Sequence, residues 1–209
     1  MCYGIQHTAR RFLGRRFRRR IHQAQSFPRT ARRTHGTSRT HPAEYTGGGI
    51  RSALELGPNI GLNLIALQRL VPGLKATAVE INAKAAEECA KIPDVTVVQD
   101  AFLNYKSEET FDLTFTFGVL IIQHPDTLPQ MYDLLYKHSN RYILMSEYYN
   151  PTPTHVNYRG TQDKMFKRDF AGEFMDRFPD VQLVDYGFFY HRDSIFPADD
   201  FNWFLMEKR

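Results

Sequence analysis

The chain has 209 residues with 27 basic and 23 acidic side chains, 42% hydrophobic and 13% aromatic content, which fits one globular domain and excludes a collagen, a coiled coil or a wholly disordered chain. Its apolar runs, such as Val119-Leu-Ile-Ile122, fall far short of the roughly 20 residues that cross a bilayer, so no membrane association is expected. Two cysteines, Cys2 and Cys89, make neither a disulfide framework nor a zinc quartet and point to a reducing, cytoplasmic setting.

The charge is unevenly spread. Residues 1–45 hold eleven arginines, no lysine and one acid, Glu44, whereas residues 46–209 carry 16 basic and 22 acidic side chains and form a mildly acidic body. A nucleic-acid partner would rest on that arm alone, through phosphate contacts from Arg15, Arg16, Arg18, Arg19 and Arg20, and the body gives no reason to expect one. The arm lacks hydrophobic periodicity and would not fold alone. Two other readings stand beside phosphate binding: an organellar targeting segment, and an out-of-frame translation. The last explains abundant arginine without lysine. Codons for Arg16 to Gln25 can be chosen so that reading one base later gives Asp-Phe-Gly-Asp-Glu-Tyr-Ile-Lys-Arg-Asn. Residues 46–209 are expected to be the working domain.

Along that domain, Ser52-Ala-Leu-Glu-Leu56 is a short apolar run that stops at Gly57-Pro-Asn-Ile-Gly61, and Leu62, Leu64, Ile65, Leu67 and Leu70 then recur at helical spacing: strand, tight turn, helix. Pro72-Gly73 ends the helix. Lys75 to Val79 predicts a second strand running into Glu80-Ile-Asn82, Ala83 to Lys91 a helix, and Val95 to Val98 a third strand with Asp100 just beyond it. Phe111 to Phe115 reads as strand, Pro125 to Tyr136 as helix and Arg141 to Ser146 as strand. A polar connection follows. Phe170, Phe174, Met175 and Phe178 mark another amphipathic helix, and Val181 to Tyr190 and Asn202 to Glu207 close the chain as strands. The alternation predicts an α/β fold: a Rossmann-like, mainly parallel sheet of about seven strands, with an antiparallel C-terminal strand and helices on both faces.

Open sheets of this kind bind ligands beyond the carboxyl ends of their strands, so Gly57, Gly61, Glu80, Asp100 and Gly118 should share one rim. Gly57 and Gly61 admit backbone close to a ligand. Asn59 stands where glycine is usual and tolerates positive φ. Glu80 is placed to accept hydrogen bonds from two adjacent ribose hydroxyls.

On these residues the sequence resembles the class I S-adenosylmethionine-dependent methyltransferases. Leu54-Glu-Leu-Gly-Pro-Asn-Ile-Gly61 is similar to their first motif, and the resemblance assigns Glu55 and the glycines to the methionine part of S-adenosyl-L-methionine. Val79-Glu80, with Ile81, resembles the ribose-binding second motif; Asp100 with Ala101 resembles the adenine-binding third. Phe111 to Leu120, including Gly118, resembles the fourth strand, whose end faces the methyl group. A narrower resemblance, carried by Arg141 to Pro151, Tyr158-Arg-Gly160, Phe166 to Phe174 and Val184-Asp-Tyr-Gly187, is to methyltransferases associated with pseudaminic and related nonulosonic-acid biosynthesis. It implies a small acceptor, a sugar or sugar nucleotide of a surface-glycan pathway. Those relatives carry a His-Ile-Asn-Pro-Asp segment where this chain has Ile122-Gln-His-Pro-Asp126, so the imidazole is displaced by two positions.

Methyl transfer from a sulfonium needs alignment above all, and a base only when the acceptor is protonated. Candidates for catalysis are His124, which also stands where it could cap a helix, Glu147, which as a strand-ending acid could equally be solvated, and Tyr149. Tyr148, Arg159 and Lys164 are candidates for holding the acceptor. The aromatic residues from Phe170 to Phe178, with Phe188, Phe189, Phe201, Trp203 and Phe204, are read as packing. His155 and His191 show no metal-ligand spacing, and no metal is expected. Two alternatives remain: a cofactor-binding domain without turnover, and a nicotinamide-dependent oxidoreductase. Against the latter, position 62 is Leu where its fingerprint has a third glycine.

Overall fold

Five apolar runs, each closed by a turn signal, become the parallel part of one sheet. In the computed structural model, which describes residues 49–158, 161–194 and 197–209, they are β1 (Ser52–Leu56), β2 (Lys75–Val79), β3 (Val95–Val98), β4 (Phe111–Phe117) and β5 (Ser139–Glu147). Their order is β3-β2-β1-β4-β5, all parallel. Two further strands complete a seven-stranded sheet. The C-terminal strand β9 (Asn202–Lys208) runs antiparallel to β5, and β8 (Val181–Phe188) runs antiparallel to β9 at the edge. Two reversals cancel, so β8 points the same way as β5 and delivers its carboxyl end to the same rim.

The central strands β1, β2, β4 and β5 are buried because helices cover the sheet from both sides. These are α1 (Leu62–Leu70), α2 (Ala83–Cys89), α3 (Leu128–His138) and α4 (Phe170–Arg177). Residues paired across strands share a face and neighbours in a strand do not. Glu55 pairs with Phe115 and accepts from Asn63 of α1, whereas Thr114 donates to the Leu135 carbonyl of α3. Hence α1 and α3 lie on opposite faces. The helix starts follow local chemistry: Asn82 accepts the Ala85 amide and Asp169 accepts the Gly172 amide. The fold expected from the alternation of patterns is the one observed, and among the described residues no helix is long and apolar enough to cross a membrane.

Three features differ from the sequence expectation. The helix predicted from Pro125 begins at Leu128, because Pro125–Thr127 forms a separate 3-10 turn capped by His124. The polar connection after Pro151 is a β-hairpin, β6 (Thr154–Tyr158) with β7 (Thr161–Lys167), and β7 packs against the turn Leu120–Ile122. Its polar residues hid a strand pattern that only the hairpin partner stabilises. Phe188, read as packing, is exposed, together with Tyr186 and Tyr190. β8 is an edge strand, and Tyr186 and Phe188 alternate along one side of it. Phe174, Phe201 and Trp203 are buried as expected. The arginine-rich arm, residues 1–45, and Arg159 lie outside the described residues, as does the side chain of Lys164.

Candidate functional site

The turn after β1 is a left-handed structure held between two other elements. Gly57, Asn59 and Gly61 have φ of 71°, 54° and 78°. A Cβ on Gly57 would lie 2.7 Å from Val119 Cγ2; one on Gly61 would collide with Ile92 and lie 2.9 Å from Cys89 Sγ. Both backbone conformation and space therefore demand glycine. Asn59 accepts the third left-handed position, which asparagine tolerates better than most side chains. The Gly57 amide donates to the Val79 carbonyl at 2.9 Å, which fastens the turn to the end of β2.

That end of β2 carries Glu80, which is buried against the turn. Its Oε2 accepts the Asn59 amide at 2.8 Å and its Oε1 accepts the Asn82 amide at 2.9 Å. Two backbone donors thus fix the carboxylate while each oxygen keeps capacity for one more donor, the arrangement that a pair of adjacent hydroxyls requires. Ile81 follows with its apolar side chain 65% exposed. The Glu80 amide donates to the Val98 carbonyl, which brings the end of β3, and Asp100 just beyond it, alongside. Asp100 is exposed, and its Oδ1 accepts the Ala101 amide and the Asn104 side-chain amide at 2.7 and 3.0 Å.

Beneath the turn lies a second carboxylate with a different environment. Glu55 is completely buried on the α1 side of β1, and Asn63 Nδ2 donates to its Oε1 at 2.6 Å. Glu55 Oε2 and Asn63 Oδ1 have no partner. Burial pushes the Glu55 carboxyl up to about 8, opposed by the Asn63 hydrogen bond and reinforced by the nearby Glu80 charge. Two buried oxygens left without a donor are costly, and a ligand that brought donor groups to them would relieve that cost.

At the next strand ends the chain builds another turn. Gly118 has φ 64° and donates to the Ser146 carbonyl at 2.9 Å. Glu147 lies on the α3 face and is buried. Its Oε1 accepts from Thr116 Oγ1 at 3.0 Å and from the amides of Val119 and Leu120 at 3.2 Å, and its Oε2 accepts the Ile121 amide at 3.3 Å. Of the two readings of Glu147, the solvated carboxylate does not hold: it is an interior brace whose donors shape the segment that presses on Gly57. Burial raises it to about 7 against the pull of those donors.

The remaining candidates separate. Tyr148 stacks on Phe201 at 4.2 Å, and Phe201 meets Phe117, the residue before Gly118, at 5.3 Å. Tyr149 points to the other face of the sheet, where its ring lies 5.9 Å from Phe204. His124 caps the 3-10 turn, its Nδ1 accepting the Asp126 amide at 3.3 Å, and stands edge-on to Phe166 of β7. Among the described residues no cluster of three metal-binding side chains occurs. Sequence reasoning missed Asn63 and Thr116, whereas Lys167, whose ammonium lies 4.9 Å from the centre of the Tyr148 ring, belongs with Arg159 and Lys164 to the basic residues after Pro151 read as able to hold an anionic group. Asn63 lies outside every motif, and Thr116 sits within the fourth-strand motif without a role of its own there. Only the tertiary fold brings them to the rim.

Comparison with known proteins adds the fold family. No family model matches the sequence, and no curated protein matches it. Solved structures do. The N-methyltransferase NodS from Bradyrhizobium japonicum WM9 is similar over 93% of this chain and 95% of its own, with TM-score 0.59 and 11% identity. The glycopeptide N-methyltransferase MtfA is similar over 76% and 88%, with TM-score 0.58 and 13% identity. Magnesium protoporphyrin IX methyltransferase from Synechocystis PCC 6803, crystallised with bound SAM, is similar over 75% and 69%, with TM-score 0.55 and 12% identity. The chain has the Rossmann-like methyltransferase fold. In that fold the rim formed by Gly57, Glu80 and Gly118 is where strand order reverses between β1 and β4, the position at which open α/β sheets take their ligands.

Proposed function

We propose that this chain is an S-adenosylmethionine-dependent methyltransferase acting on a small acceptor, a sugar or sugar-nucleotide precursor of pseudaminic or related nonulosonic-acid glycans, in a cytoplasmic setting. The observation that carries the cofactor is Glu80, fixed by the Asn59 and Asn82 amides with both oxygens able to take a further donor. In this reading Glu80 holds the ribose hydroxyls and Glu55, with Asn63, receives the ammonium of the methionine part. Gly57 and Gly61 allow backbone to approach the ligand. Ile81, Asp100 and Ala101 border the adenine, and Gly118 borders the methyl group. The orphan oxygens of Glu55 and Asn63 support the fit, since they lack the donors such a ligand brings.

The cofactor supplies a methyl group already activated by the sulfonium charge. What the protein must add is alignment. Glu147 contributes by bracing the segment at residues 119–121, so the wall opposite Gly57 is rigid when the acceptor arrives. The acceptor class rests on the resemblance carried by Arg141 to Pro151 and by Phe166 to Phe174, and Arg159 and Lys164 remain its proposed ligands, with Tyr148 beside them. The working domain is placed at residues 46–209, apart from the arginine-rich arm.

Isothermal titration with S-adenosylmethionine tests the first half: saturable binding that disappears in Glu80→Ala and Gly57→Val, with both variants folded by circular dichroism. Absence of binding to the full chain overturns the reading. Incubation with labelled cofactor and a bacterial small-molecule extract tests the second half, and label appearing in a sugar or sugar nucleotide is the expected result.

A further inference from the structure

His191 and Asp200 form a pair outside the residues proposed to hold the cofactor. His191 follows the end of β8 and Asp200 precedes β9, and Nδ1 of the imidazole lies 2.9 and 2.8 Å from the two carboxylate oxygens. The His191 backbone amide also donates to Asp200 Oδ1 at 2.9 Å. With both oxygens facing Nδ1, that nitrogen carries the proton and Nε2 keeps its lone pair. His124 is arranged in the opposite sense. Its Nδ1 accepts the Asp126 amide at 3.3 Å, so in the neutral ring Nε2 bears the proton and donates; a 3.4 Å approach of Nδ1 to the Asp126 carboxylate is longer and solvent-exposed. His138 is a third kind. It is buried, with Nδ1 2.7 Å from the Glu109 carbonyl, and is structural.

The place of the pair in the fold is as informative as its tautomer. Because β8 runs parallel to β1, β4 and β5, its carboxyl end reaches the rim that holds Gly57 and Gly118. Phe201 follows Asp200 directly, stacks on Tyr148 and packs on Phe117, next to Gly118. Lys167 stands over Tyr148, and its charge helps the His191 hydrogen bonds hold the Asp200 carboxyl below the usual range. The Tyr190 ring meets the imidazole edge-on at 4.8 Å, while the His191 and Asp200 side chains are 56% and 45% exposed. The pair is thus half-exposed, on the edge of the sheet to which β4 and β5 also send their carboxyl ends.

We propose that His191, oriented by Asp200, is the general base for methyl transfer to a hydroxyl group. This rests on the methyltransferase reading above and narrows its acceptor to an alcohol. The acceptor O–H bond breaks, its proton passes to His191 Nε2, and the oxygen lone pair forms the new bond to the methyl carbon. The C–S bond breaks with its electron pair retained by the sulfur of the methyl donor. Asp200 is a positioning residue: it keeps Nδ1 protonated and stabilises the imidazolium that forms. Of the titratable groups, Asp200 and Tyr190 contact the imidazole, Lys167 of β7 acts on Asp200, and Arg192, Asp193 and Asp199 belong to the same connection in sequence.

The test uses the full chain and its His191→Gln and Asp200→Asn variants. S-adenosylmethionine affinity is measured by calorimetry, and methyl transfer is measured to N-acetylneuraminic acid and to a protein-free bacterial extract. The imidazole is followed by NMR with labelled histidine. The proposal expects cofactor affinity unchanged in both variants and transfer reduced by roughly 100-fold or more in His191→Gln. It expects transfer reduced by roughly tenfold or more in Asp200→Asn. The NMR spectrum of His191 should report a proton on Nδ1 that Asp200 controls. A His191→Gln rate near that of the unaltered chain, a proton on Nε2 instead, or an unaltered chain that binds the cofactor but methylates neither probe overturns it. Failure of the unaltered chain to bind the cofactor overturns the underlying methyltransferase reading as well, and is recognised separately.

Discussion

The Oε2 atom of Glu80 lies 2.8 Å from the backbone nitrogen of Asn59, so the end of β2 and the turn after β1 are locked together by the group proposed to hold the ribose. Hydrogen bonds to a charged group contribute about 1.5–3 kcal/mol each. Glu80→Gln keeps one acceptor oxygen but loses the charge and the second acceptor, so S-adenosylmethionine affinity should fall about 10- to 100-fold. Calorimetry on the folded variant checks this, and an affinity within twofold of the unaltered chain would remove Glu80 from the site.

Gly61 and Gly73 separate two reasons for requiring glycine. Both have φ near +80°, but a Cβ on Gly61 would run into Ile92 and Cys89, whereas nothing lies within 4 Å of one on Gly73. Gly73→Ala should cost about 1 kcal/mol from backbone strain alone. Gly61→Ala should cost about 1–3 kcal/mol more from overpacking. Urea unfolding of the two variants measures the difference, and equal midpoints would show that the turn yields easily.

The succession of strands and helices was legible because most of the parallel strands are short apolar runs and the helices repeat apolar residues on one side. Gly57, Glu80 and Gly118 were legible for a related reason, since each ends a strand. What escaped was information held between distant segments. Glu147 reads in sequence as an acid at a strand end, and only the course of residues 119–121 turns it into a buried acceptor of four hydrogen bonds. The β6–β7 hairpin carries too few apolar residues to announce itself. His191 and Asp200 are nine positions apart on either side of a connection, and no periodicity links them. The Tyr148 and Tyr149 pair shows the complementary limit: strand alternation sends adjacent side chains to opposite faces, so the two were never able to share one pocket.

Glu55 makes cofactor binding depend on pH. Its carboxyl is raised to about 8 by burial, so near neutrality it is protonated in the free protein, while an ammonium ligand favours the ionised form. Binding should therefore release a proton, and affinity should rise by up to about tenfold per pH unit between roughly pH 6 and 7.5, above which an α-amino group itself begins to deprotonate. Calorimetry in phosphate and Tris, whose ionisation enthalpies differ, counts the proton. Glu55→Gln should abolish the slope. A flat profile in the unaltered chain would mean that Glu55 does not meet the ammonium.

Glu147 makes a corresponding prediction about stability. Its carboxyl is raised from 4.5 to about 7, with burial as the main cause. Between those values the folded chain holds a proton that the unfolded chain has lost, so this group's contribution is fully present below about pH 4.5 and is lost as pH rises through about 7. One such group changes stability by at most about 1.4 kcal/mol per pH unit, hence by about 3 kcal/mol over the window. Glu147→Gln keeps an oxygen for Thr116, Val119 and Leu120 but turns an amide toward the Ile121 N–H, which should cost about 1–3 kcal/mol at pH 5. It should also flatten the decline between pH 5 and 7.5. Glu147→Ala, which strands every donor around residues 119–121, should be destabilised more at both pH values. Urea unfolding of the three chains at pH 5 and 7.5 decides the matter: if Glu147→Gln and the unaltered chain lose stability in parallel, the carboxylate is ionised throughout and its four donors outweigh its burial.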